Sequence, residues 1–100
     1  MRFASAAALL LAAACASPKG DFERFCGAHE NAGVVAGDTP GDQAVKISKY
    51  LADNLKTPEA KQVLEKLPTL QPNEKRQALS DAAAKYGVSP CRLADVTWPP

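Results

Sequence analysis

Proline placement is the feature that most restricts this chain. Eight prolines occur in 100 residues, and beyond residue 20 four of them follow a polar side chain: Thr39-Pro40, Thr57-Pro58, Gln71-Pro72 and Ser89-Pro90. A polar residue at an N-cap can accept from the first backbone N–H groups of a helix. Proline at the next position loses nothing, because its missing N–H would have had no partner there. The prolines therefore cut the chain into helix-length pieces. No segment alternates with period two for more than a few residues, and no Asn-Gly or Asp-Gly hairpin turn occurs, so no sheet is expected. The fold class that follows is all-α, a small bundle of four to five short helices.

Apolar spacing fills in the pieces. A first helix is expected over about 21–31, with Phe22, Phe25, Cys26 and His29 on one face. Gly27 weakens it by about 1 kcal/mol relative to alanine. A second, over about 40–56, opens on Thr39-Pro40-Gly41-Asp42, close to a capping box with Asp in the Glu position. Its inward stripe is Ala44, Ile47, Ser48, Leu51 and Leu55, widened by Val45. A third, over about 58–67, turns Ala60, Val63, Leu64 and Leu67 inward and stops before Pro68. A fourth, over about 72–86, turns Leu79, Ala82, Ala83 and Tyr86 inward and ends on Gly87-Val88, the pair that a Schellman cap uses. A final turn from Pro90 to Asp95 carries Cys91 and Leu93.

The amino terminus is of another kind. Arg2 precedes a run of small and apolar residues from Phe3 to Ala14 around Leu9-Leu10-Leu11. A membrane span needs about twenty apolar residues, whereas one positive charge, a short apolar stretch and a small-residue end describe an export signal. Residues 1–14 are therefore read as a signal peptide. The sequence Leu11-Ala12-Ala13-Ala14-Cys15 resembles the lipobox of bacterial lipoproteins. That resemblance implies acylation of Cys15, by palmitate or a similar chain, and cleavage that makes Cys15 the new amino terminus. Ala16, rather than Asp, then implies release to the outer membrane, facing the periplasm or the surface. Cleavage after Ala16, at Ala14-Cys15-Ala16, is the competing reading and would give a freely secreted helical protein. Residues 15–20 are read as anchor and tether, with Ser17-Pro18-Lys19-Gly20 as the linker, 21–96 as the helical domain and 97–100 as a tail.

Either cut leaves two cysteines, Cys26 and Cys91, in a domain small enough that a core alone supplies only about 3–5 kcal/mol. A disulfide between them would close nearly the whole domain and stabilise it by about 4 kcal/mol on the chain-entropy model, in a compartment that permits it. The alternative is a thiol redox or metal-binding protein. Cys26 and His29 stand at i, i+3 and could share a metal with Cys91, completed by Glu30 or Asp95. That set lacks the paired Cys-x-x-Cys or His-x-x-x-His elements by which zinc sites announce themselves. Cys-x-x-Cys-His for haem is absent, as is the Cys-x-x-Cys of a thioredoxin-like centre. A single histidine for Ser17, Ser48, Ser80 and Ser89 gives no basis for a nucleophilic triad.

Charge excludes a further class. Loss of Arg2 with the leader brings the 12 basic side chains down to 11, level with the 11 acidic ones, so no nucleic-acid footprint is expected. Asp42 with Lys46, and Asp81 with Lys85, stand at i, i+4 as surface pairs; Glu23 and Glu30 read as surface charges. Trp98 either folds back on the helices or projects toward a partner.

Phe25-Cys26 followed by His29-Glu30 and Gly33, and Ala83-Ala84-Lys85-Tyr86-Gly87-Val88 leading to Cys91 and Leu93-Ala94-Asp95, are similar to small disulfide-paired helical envelope proteins of myxobacteria. The similarity covers most of residues 22–95 and brings no activity with it. The resulting expectation is a non-enzymatic outer-membrane lipoprotein without cofactor or metal. Its helical domain binds an envelope partner, and the membrane is reached through Cys15.

Overall fold

The structure is a computed structural model that describes residues 17–98. The expected signal peptide, Cys15 with its lipobox and the last two prolines lie outside the described residues. Within them the chain is all helix and turn, with no strand. Six α-helices occur, α1 (Pro18–Cys26), α2 (Ala28–Asn31), α3 (Pro40–Asn54), α4 (Pro58–Lys66), α5 (Pro72–Lys85) and α6 (Arg92–Thr97), with a 3-10 turn at Leu67–Thr69 between α4 and α5.

The count exceeds four to five because the first helix breaks. Gly27 ends α1 with φ −92° and ψ 6°, and its N–H donates to Glu23 O at 3.0 Å. A second turn, α2, then starts at Ala28. The helix also begins earlier than expected. Ser17 is the N-cap, its Oγ accepts from Gly20 N–H at 3.1 Å, and Pro18 opens the helix, so the stretch expected as a tether is helix. Ser17-Pro18 carries the same polar-proline signal as the other starts.

Three of the four expected starts open helices, at Pro40, Pro58 and Pro72. Thr39 and Asp42 complete the capping box, with Asp42 N–H donating to Thr39 Oγ1 at 3.1 Å and Thr39 N–H to the Asp42 carboxylate at 3.4 Å. Ser89-Pro90 does not open a helix. Cys91, whose sulfur lies beside α1, takes the N-cap position and α6 begins at Arg92. The end of α5 is a Schellman cap: Gly87 has φ 86°, its N–H donates to Ala84 O, and Val88 N–H donates to Ala83 O at 2.9 Å. Glycine is required there because a side chain at that φ is strained.

The core is centred on α1, which packs against all five other α-helices. Phe22 and Phe25 are fully buried, and Phe22 stacks on Tyr86, the residue that caps the end of α5, with ring centroids 5.4 Å apart. Leu51, Leu55, Leu79 and Leu93 close round them. Cys26 and Cys91 stand at disulfide distance, Cα atoms 4.8 Å apart and 65 positions apart in sequence. Beside this pair, Arg92 on α6 forms an ion pair with Glu30 on α2.

Both expected i, i+4 ion pairs are replaced. Asp42 serves the α3 cap, and Lys46 reaches back to Asp38 at 2.8 Å and to Gly33 O at 3.1 Å, pinning the α2–α3 loop to α3. Asp81 accepts from Gln77 Nε2 at 2.7 Å, while Lys85 lies over the Tyr86 ring. An exposed i, i+4 ion pair contributes at most about 1 kcal/mol, so the Asp42 cap, the Asp81–Gln77 bond and a Lys46–Asp38 pair joined by a loop carbonyl take its place.

Candidate functional site

The stripe expected to bury α3 does so only at one end. Leu51 and Leu55 are buried, Ile47 is half-buried, and Ala44 and Ser48 are exposed. Val45 is 70% exposed and belongs to no core face. The upper half of α3 faces an open hollow.

That hollow is a cavity of about 300 Å³, floored by the buried side chains of Phe25, Leu51, Leu67 and Leu93. Ala44, Ile47 and Ser48 of α3 line it, together with Leu64 of α4 and Pro68 of the 3-10 turn. Thr97 at the end of α6 and Trp98 just after it, with Lys75 from α5, complete its lining. The Lys75 ammonium lies 6.0 Å from the Trp98 ring centroid, within reach of a cation–π contact. Trp98 is half-buried and folds back on the core, so its indole covers apolar surface yet keeps an accessible side.

A second, smaller cavity of about 170 Å³ adjoins the first, sharing Ala44, Ile47 and Thr97 with it. His29 lies here, half-buried, with Pro40 and Gln43. The residues grouped in the sequence as a possible metal set are thus divided. Cys26 and Cys91 face each other, Glu30 pairs with Arg92, and His29 lines the smaller hollow. Among the described residues no group of three or more His, Cys, Asp or Glu side chains is placed to hold a metal.

Sequence reasoning missed one polar centre, Asp21. Its side chain is fully buried. One carboxylate oxygen accepts from Thr57 N–H at 2.6 Å, Thr57 Oγ1–H at 2.7 Å and Lys56 N–H at 2.8 Å; the other meets Arg24 at 3.3 Å. Burial pushes its pKa up, but the hydrogen bonds from Thr57 and Lys56, with the nearby Arg24 charge, outweigh this and hold it below the ordinary carboxylate range. Asp21 thereby serves the N-terminus of α4, where backbone N–H groups and the helix dipole favour an anion. One signal was available: Asp21 stands four residues before Phe25, so it lies on the apolar face. Its role is to lock α1 to α4.

Among the described residues the fold is an all-α domain with an open apolar hollow beside α3. No family model, no curated protein and no solved structure matches the chain. None of the described helices is long and apolar enough to cross a membrane.

Proposed function

We propose that this protein is a non-enzymatic lipoprotein, anchored at the outer membrane through acylated Cys15, whose helical domain binds an envelope partner or ligand in the groove between α3 and α6. The observation that carries the binding reading is the groove itself. An apolar floor reached through a half-open mouth, beside a half-buried tryptophan, is what a binding face needs and what a closed structural bundle lacks. The anchor is supported by the lipobox-like end of the signal, Leu11 to Cys15. The helix at Pro18 leaves only Ala16 and Ser17 between Cys15 and the domain, so an acyl anchor would hold the domain close to the lipid surface.

Two measurements test the two halves. Labelled palmitate should enter the wild-type protein in the membrane fraction and not Cys15→Ser; label retained by the variant, or protein found in the medium without detergent, overturns the anchor in favour of the secreted form. A photo-crosslinking residue at exposed Ser48 in the groove should give discrete adducts in intact cells, and one at exposed Gln62 on α4 should not. Ala44→Leu, which fills the groove from a solvated helix position, should abolish them. Equal adducts at both sites, or none at Ser48, overturn the groove as the binding face.

A further inference from the structure

The chemistry lining the groove narrows what can occupy it, on the reading that the groove is the binding face. Ser48, Thr97, Lys75 and the indole N–H of Trp98 supply its polar groups; the rest of the lining is hydrocarbon, aromatic ring and proline. An extended peptide laid over such a floor would bring a backbone N–H and C=O at every residue, and burying those without partners is costly. An alkyl chain carries no such groups. The volume, about 300 Å³, stands at the lower edge of the range for small-molecule sites.

Charge then sets the head group. Lys75 is the only ionisable residue lining the larger cavity, and it takes part in no ion pair among the described residues. Its ammonium sits at the rim against Trp98, where a head group would remain in contact with water while the chain runs inward. From Ala44 to Leu51 the α3 wall extends about 10 Å at the helical rise per residue. The adjoining hollow lets a chain continue past Ile47 toward Pro40, to about 16 Å in all. There it meets Gln43 and His29, whose polar groups give a longer chain nothing to gain.

We infer that the groove binds a non-esterified medium-chain fatty acid, with its alkyl chain along Ile47 and Leu51 over Phe25 and Leu93 and its carboxylate at Lys75. The chain is hydrocarbon because the floor offers no hydrogen bonds, and the head is anionic because the rim offers one unpaired cation.

The test uses the full chain carrying Cys15→Ser, so that neither an attached acyl group nor detergent competes, and reads the fluorescence of Trp98, the only tryptophan. Octanoate, decanoate and dodecanoate are titrated below their micelle concentrations. Affinity should rise about fourfold per added methylene until the groove is full. Dodecanoate should bind more tightly than dodecanol, and dodecyltrimethylammonium least of all. Lys75→Gln should weaken dodecanoate by about threefold to tenfold while leaving dodecanol unchanged, with circular dichroism confirming that the helices persist. Dodecanol matching dodecanoate, or Lys75→Gln weakening both equally, overturns the anionic ligand while leaving the crosslinking test of the groove to stand or fall separately. No dependence on chain length overturns the alkyl chain, and a Trp98 signal that varies with protein concentration, unaffected by dodecanoate, assigns the groove to a second copy instead.

Discussion

Replacing Asp21 should cost this domain more than replacing any surface charge. Three donors converge on one buried oxygen, and two of them are backbone N–H groups, of Lys56 and Thr57, at the start of α4. Asp21→Ala removes the acceptor and leaves those groups without a partner, a loss of about 3–5 kcal/mol for a buried, charge-assisted set. Asp21→Asn keeps an oxygen in place but removes the charge, and should cost about 2 kcal/mol. Arg24 adds little, since its side chain is 39% exposed. For a domain of this size each kcal/mol moves the melting temperature by about 4–8 °C, so Asp21→Ala should melt at least about 12 °C below wild type. The pH dependence has a definite sign. The folded-state pKa of Asp21 is depressed, so its contribution is fully present above the unfolded-state pKa and is lost as pH falls through the folded-state value. Urea unfolding followed by circular dichroism from pH 7 downward should therefore show wild-type stability falling in acid, and Asp21→Asn should flatten that fall. A cost for Asp21→Ala under about 1 kcal/mol, or an acid profile unchanged in Asp21→Asn, would refute the argument, because neither can occur if the buried carboxylate is charged and shared by these donors.

Three other predictions concern the frame. Cys26→Ser with Cys91→Ser should lower stability by about 4 kcal/mol, the value for closing a loop of this length, and a matching loss on adding reductant to the wild type would show the cost comes from the bond; stability unchanged in both would exclude it. Gly87→Ala should cost about 1 kcal/mol or more through its positive φ alone, since nothing lies within 4 Å of the added methyl, and a neutral effect in thermal melts would contradict the cap. On α3, Val45→Lys should change stability by less than about 0.5 kcal/mol while Leu51→Ala costs about 2–5 kcal/mol; comparable losses would mean the helix faces are misassigned.

Local rules succeeded in this chain where one residue decides the outcome. Thr39-Pro40, Thr57-Pro58 and Gln71-Pro72 open helices because capping and proline geometry act within four residues, and Gly87-Val88 closes α5 for the same reason. Ser17-Pro18 carried the same signal, and setting it aside as a tether missed the first turn of α1. Failure came where distant partners decide. Ser89-Pro90 satisfies the local rule, but α6 starts at Arg92, after Cys91, which stands at disulfide distance from Cys26. Asp21 is buried because α4, 36 residues away in sequence, presents unpaired donors to it, and one-dimensional spacing does not contain that partner. The groove was illegible for a related reason. Periodicity marked Ala44 and Ser48 as inward, and they do lie on the face turned toward the other helices, but whether a neighbour reaches that face depends on where α6 docks.

The docking of α6 links the cysteine pair to the proposed site. The helix spans only Arg92–Thr97, too short to persist by its own hydrogen bonds. Cys91 stands at disulfide distance from Cys26 of α1, Arg92 pairs with Glu30 of α2, and Leu93 and Ala94 bury their side chains. Those contacts place Thr97 and Trp98 at the groove edge, opposite α3. Bonded as a disulfide, the cysteine pair, 65 positions apart in sequence, would contribute twice, once by restricting the unfolded chain and once by fixing the α6 edge of the groove. The surface ion pair is worth at most about 1 kcal/mol, so with the cysteines removed the position of Trp98 rests on buried Leu93 and Ala94, on its own packing against the core and on its contact with Lys75. Loss of groove geometry should then precede loss of the fold, since α1, α3, α4 and α5 keep Phe22, Leu51, Leu55 and Leu79 packed among themselves.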